Sequence, residues 1–350
     1  MLFRQPPHAS RARLTAVCLS LATVLATVLA TPTLRAQASD KPPRPIISIG
    51  DYPNVNGLRL NYRDSDLGTV NGANVTLWTP YDPMSGTVNG LALGLPATGA
   101  ADINGLALGV LGVGASHDVT GITLAGIGAG AGGRLKGIAF APIGLGAGGS
   151  LDGIMVGGIG VGGGGNARGL IAGGIGAGVG GDIDGIALGG IGAGVGGHLT
   201  GLAIGGIGVG AGGSVKGVLV GGVGVGAGGR IDGIVIGGIG AGSGDEIKGI
   251  GLAGVGIGAP RLQGGFAALF VGAKDAKAIV LAPAQFRIEN GSFSGVSLSA
   301  SNYVKGAQNG ITIGLLNYAR SLSGVQVGII NIIANGSSHP VLPLFNWGTH

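Results

Sequence analysis

Three features of this 350-residue chain are of a type and spacing that could do chemistry: glycines spaced Gly-x-Gly-x-x-Gly, a few histidines, and a row of alternating charges. Gly192, Gly194 and Gly197 fit the spacing that cradles a dinucleotide phosphate. That fingerprint needs a strand before it, a helix after it and one occurrence per nucleotide. Here the spacing recurs along the chain with no helix-compatible stretch behind it, so it predicts backbone architecture and no cofactor. His117 and His198 fall in polar turns, and His339 and His350 in the tail; no pair has ligand spacing, so no metal site is expected. Ser, His and Asp occur without a local catalytic signature, and we expect no catalytic residue and no enzyme. Cys18 is the single cysteine, which leaves no disulfide. Asn74-Val75-Thr76 and Asn335-Gly336-Ser337 match the glycosylation acceptor pattern and read as turn residues.

The charges are more informative. Between residues 121 and 264 a sixteen-residue phrase is written nine times, opening on a glycine at 121, 137, 153, 169, 185, 201, 217, 233 and 249. Within it, charged side chains fall only at phrase positions 13 to 16. Read down position 16, the order is Thr120, Lys136, Asp152, Arg168, Asp184, Thr200, Lys216, Asp232, Lys248. Apart from the threonines, the sign alternates from copy to copy. If each copy is one coil of a β-solenoid, equivalent positions lie about 4.8 Å apart and these charges form a ladder. In an antiparallel hairpin meander or barrel they would sit roughly twice as far apart, and alternation would serve less. The ladder therefore favours the solenoid, with exposed pairs that specify register more than they stabilise.

The elements that must carry this ladder are short. Positions 2 and 4 (Ile186 and Leu188) alternate with small residues, and positions 7, 9 and 11 (Ile191, Ala193, Val195) alternate with glycine. Two short strands per coil are predicted, turned near positions 5 and 6 and again at 12 to 14. Glycine at every second residue costs about 1 kcal/mol per site in a helix, so no helix fits. A repeat this short cannot bury its own apolar residues and must stack on its neighbours. The coil should be thin, and the fold class all-β.

Along the chain, residues 1–38 read as a signal peptide: Arg4, Arg11 and Arg13, an apolar run from Leu14 to Ala30, and Ala36-Gln37-Ala38 as the cleavage site. Residues 39–56 are a proline-rich lead-in. Residues 57–120 hold degenerate repeats with Asn-Gly pairs at 56, 71, 89 and 104, read as turns, and the aromatic residues Tyr62, Trp78 and Tyr81. The strict array covers 121–264. From 265 to 350 the phrase loosens, with Phe266, Phe270, Phe286 and Phe293, and recovers its phase at Gly295, Gly310 and Gly324. Atypical terminal repeats are expected to cap a stacked array.

The closing phrases Gly324-Val-Gln-Val-Gly-Ile-Ile-Asn and Leu342-Pro-Leu-Phe-Asn-Trp347 resemble the bacterial surface repeat-containing proteins, an uncharacterised exported family with a similar Gly-rich sixteen-residue spacing. The central copies depart from that pattern by carrying Gly or Ala where the family more often shows Gln and Asn. The resemblance implies exposure outside the cytoplasm, in the periplasm, outer membrane or cell surface, and transfers no catalytic residue.

Glycine is 82 of 350 residues and charged residues are 10%. The formal net charge of +5 includes the basic residues of the leader, and no Lys/Arg cluster is interleaved with aromatics, so no nucleic-acid partner is expected. The reading is a non-enzymatic envelope or surface scaffold of about eighteen coils, presenting flat apolar and small-residue faces to an unknown protein or surface, to another copy, or to the periphery of a membrane. The competing class is an outer-membrane-integrated β-protein, barrel or pore-like. A spanning strand needs ~9 to 11 residues, more than half of a sixteen-residue coil supplies.

Overall fold

The computed structural model describes residues 44–335 and 340–349. The signal peptide, the start of the lead-in, Gly336, Ser337, His339 and His350 lie outside the described residues. Every regular element described is a strand. A typical coil is a long strand, Leu135–Ala141, followed across a two-residue bend by a short one, Gly144–Ala147. The second turn falls at positions 12 to 14, where the predicted turn lies.

In the regular array each coil pairs in parallel with the coil sixteen residues on, and the degenerate coils at either end pair in parallel at offsets of 14 to 18. Leu135 faces Leu151, Lys136 faces Asp152 and Gly144 faces Gly160, with no slip. The same parallel register recurs throughout the strict array, and the result is a β-solenoid of about 17 turns. This excludes the hairpin meander and the barrel, both of which require antiparallel neighbours. The exception to parallel pairing comes at the end, where Val341–Thr349 lies antiparallel on Leu316–Ile333.

Gly121, Gly137 and Gly153 and their equivalents sit inside the long strand at positive φ. At Gly153 φ is 122°, and an added Cβ would lie 2.1 Å from the carbonyl oxygen of Gly137 one coil below. Stacking at one strand spacing therefore requires glycine here. The Asn-Gly pairs at 56, 71, 89 and 104 obey the same rule. They were expected as turns, but each lies mid-strand, with the asparagine at position 16 and the glycine at position 1. Turn propensity and the demand for positive φ give the same local signal, and the stacking decides.

The core is a narrow slot. Positions 15, 3 and 5 of the long strand and 9 and 11 of the short strand point inward, as with Leu135, Ala139, Ala141, Leu145 and Ala147, all buried. Toward the ends the slot becomes polar. Asn302 donates to Asn317 at 2.8 Å, and Asn317 to Asn331 at 2.7 Å, as an interior amide ladder. At the N-terminal end Arg59, fully buried, is held by Asp51, Asp64 and Asn74. Asn74 is thus a buried strand residue and not the surface turn residue expected, because its amide also donates to Asp64 at 2.9 Å.

Candidate interaction face

The strand period that sends positions 15, 3 and 5 inward sends 16, 2 and 4 outward. Position 7, at the bend, also faces out. In the coil that opens at Gly137 these outward positions carry large apolar side chains: Ile138 is 48% exposed, Phe140 45% and Ile143 49%, whereas Ala139 between the first two is 1% exposed; other coils bury Met155, Ile171 and Leu219 at that inward position. Stacked in register, they make columns of Ile, Leu and Val along the array, bordered on one side by the position-16 charges. At the C-terminal end column 4 continues through Leu281, Leu298, Ile313 and Val327. Together with Ile329 and Leu344, these residues line an open apolar groove of about 590 Å³. The opposite face, on the short strands, carries glycine at positions 8 and 10. An added Cβ at Gly194, Gly210 or Gly226 would meet nothing within 4 Å, so contacts within the chain do not require these glycines. One broad outer face is therefore apolar and ridged, and the other is flat.

The predicted charge ladder, Lys136, Asp152, Arg168, Asp184, Lys216, Asp232 and Lys248, occupies one column. Lys136 is in register with Asp152, Asp152 with Arg168, Arg168 with Asp184, Lys216 with Asp232, and Asp232 with Lys248. Among the described residues, no two of these approach within ion-pair distance of each other. In the N-terminal coils the same column is an amide ladder, Asn104 to Asn89 to Asn71 to Asn56, at 2.9 Å per step.

Direct ion pairs gather instead around position 14. Arg134 pairs with Asp118 at 2.8 Å and Arg230 with Glu246 at 3.5 Å. The side-chain hydrogen bonds from Arg134, and then its backbone N–H, hold the Asp118 carboxyl below its ordinary range. Position 14 also does a job that the spacing alone did not reveal. Its side chain accepts the backbone N–H of the next coil's residue: Asp182 donates to Asn166 at 2.8 Å, His198 to Asp182 at 2.6 Å and Ser214 to His198 Nδ1 at 2.9 Å. The recurrence of Asp, Asn, Ser and His at this turn position was the available signal. The alternating charges at position 16 are the stronger pattern and mask it.

The other chemical candidates come apart. Gly192 and Gly194 lie in a short strand and Gly197 in the turn after it, with no helix following. His198 is an acceptor in the position-14 ladder, and His117 stands 3.5 Å from Asp102 on the surface. Among the described residues no group of three His, Cys, Asp or Glu side chains could hold a metal. Comparison with family models, with curated proteins and with solved structures gives no match. The functional reading must therefore come from the geometry of this chain. What that geometry offers is a long, ridged apolar surface with a charged border.

Proposed function

We propose that this protein is a non-enzymatic scaffold of a bacterial cell envelope or surface, a β-solenoid whose apolar long-strand face is its working surface. The observation that carries this reading is that Ile, Leu or Val stands at the outward positions 2 and 7 of every regular coil, and a large apolar residue at outward position 4 of every one but the coil of Ala172, in addition to the apolar residues that fill the core. A face roughly 13 Å wide and ~80 Å long covers about 1,000 Å², beyond the largest apolar patch of a typical monomer. Surfaces of that kind mark binding to a macromolecule or an interface. Export is supported by the basic, apolar and small-residue segments of residues 1–38. Membrane spanning is disfavoured for the regular array, since its long strand Leu135–Ala141 has 7 residues where a spanning strand needs ~9 to 11.

Cell fractionation followed by carbonate and salt washes tests the reading. The scaffold should leave the cytosol with a mature N-terminus at or near Ser39 by mass spectrometry. An intact Met1 and a cytosolic protein would reject it, and resistance to carbonate would favour the integral alternative.

A further inference from the structure

We infer that the apolar long-strand face is closed by a second copy of the chain, lying antiparallel across a two-fold axis that passes through the coil of Thr200. The inference rests on the proposal that this face is the working surface, and it names the partner. The argument starts from the charged border. If two copies stack these faces with their solenoid axes opposed, the two-fold runs along the strand direction, and the position-16 column of one copy lies over the same column of the other in reverse order. A strictly alternating ladder would mate with itself in every second register. The neutral Thr200 breaks that degeneracy.

With the axis on Thr200, Asp184 meets Lys216 of the second copy, Arg168 meets Asp232, and Asp152 meets Lys248. Continuing outward, Lys136 meets Gln263 and Thr120 meets Lys277, and beyond these the column is uncharged on both sides. No like charges face each other anywhere. A slip of one coil in one direction puts Lys136 on Lys248 and Asp152 on Asp232; in the other it puts Arg168 on Lys248 and Asp184 on Asp232. Juxtaposed like charges suppress wrong registers strongly.

Two independent features agree. In column 4, where sizes vary most, the same axis sets large against small: Phe140 faces Ala267 and Ala172 faces Ile236. The axis also lies near the middle of the array, whose position-16 column runs from Asn56 to Ser323, so the copies overlap almost end to end. Face area then totals about 2,000 Å² over both partners, the upper part of the range for stable interfaces. A parallel pairing would instead lay the charged column of one copy over the apolar columns of the other.

Sedimentation of the purified chain, with spin-label distances in a Cys18→Ser background, tests this. A dimer is expected. Thr200→Cys should give a short inter-copy distance near one sheet separation of ~10 Å plus the labels, and Thr120→Cys about 48 Å, because each coil away from the axis adds two strand spacings. Asp184→Lys should weaken the dimer about tenfold or more. Adding Lys216→Asp should recover it, although the double variant has more like neighbours within each chain than the single. Recovery therefore has to come from pairing across copies. A monomer at concentrations up to about 100 μM would overturn the inference. So would a short distance at both labels, or a double variant no tighter than the single. If such a monomer floats with anionic vesicles, the face meets lipid instead. A monomer that still fractionates with the envelope sinks only the dimer, whereas a cytosolic chain that dimerises sinks only the envelope reading.

Discussion

Two glycines forty-one residues apart show why identical residues in this chain are not equivalent. Gly153 is at positive φ, with the Gly137 carbonyl where a side chain would begin; Gly194 has open space there. Gly153→Ala should cost at least about 2 kcal/mol from backbone conformation and crowding together, and Gly194→Ala close to nothing. Thermal melts of the two variants should separate them clearly; equal melting temperatures would mean that the glycine column is not what sets the stacking. Both glycine columns repeat without exception in the nine copies, so the sequence marks each alike. Their different roles were not legible, because the pattern cannot distinguish a glycine that the chain requires from one that leaves a face flat. The buried Arg59–Asp64 pair was equally hidden among degenerate repeats. Burial opposes ionisation of Asp64, but hydrogen bonds from Thr76, Asn74 and Arg59 outweigh it and hold the carboxyl below its ordinary range. A depressed folded pKa contributes stability that is present above the unfolded value, about 3.9, and lost as pH falls through the folded value. Acid melts should therefore show the parent losing stability below pH ~4. Asp64→Asn should start lower by about 3 kcal/mol, because Arg59 is left buried without that partner, and should show a shallower acid limb. Parallel acid limbs would remove Asp64 from the account.

At the scale of the strand, the period was readable but its phase was not. From position 1 to position 5 both alternating sets are apolar or small, so over that stretch period two announces a strand without saying which side is the core; the outward set is marked only by the polar position 16, which the glycine at position 1 sets apart from it. The slot decides. The space between the two sheets is shared among the inward residues: Ala139 and Ala141 lie opposite Leu145 and Ala147 with the bulkier Ile138 and Phe140 outside, and one coil on Met155 is taken in where Gly157 and Gly163 stand in place of Ala141 and Ala147. Sequence reasoning that places the largest apolar residues inside would invert the first of these coils, and mutation tests the orientation. Met155 is fully buried and Ile154 beside it is 41% exposed. Met155→Ala should cost about 2 to 4 kcal/mol, and Ile154→Ala under about 1 kcal/mol, although isoleucine is the more hydrophobic of the two. Denaturant unfolding of both variants, compared at the same slope, is the measurement. A larger loss at Ile154 would reverse the assignment of faces, and with it the apolar surface on which the functional reading stands.

For the whole molecule, the consequence of parallel stacking is that stability is local. Each coil contacts the coils above and below, so the array behaves as a one-dimensional chain of nearest-neighbour interfaces. Removing residues 169–184, one complete coil, joins Arg168 to Gly185 and restores the next opening glycine to its place over Gly153. Long strand then still pairs with long strand, and the position-14 acceptor of Asn166 meets His198 where Asp182 had been. One interface is lost from about 17 turns. The variant should keep the strand signal per residue in circular dichroism and melt within a few degrees of the parent, a shift of roughly 1 kcal/mol at this chain length. Removing only residues 169–176 is the informative comparison, because the chain would re-enter the stack half a coil out of phase. The following strand would meet a turn instead of a strand, and the positive-φ glycine would no longer lie over its partner. That shorter deletion should leave a protein that aggregates or melts far below the parent, despite losing half as many residues. If the two deletions behave alike, the sixteen-residue register is not the unit of stability. The columns built on it, apolar face and charged border included, would then lose their structural basis.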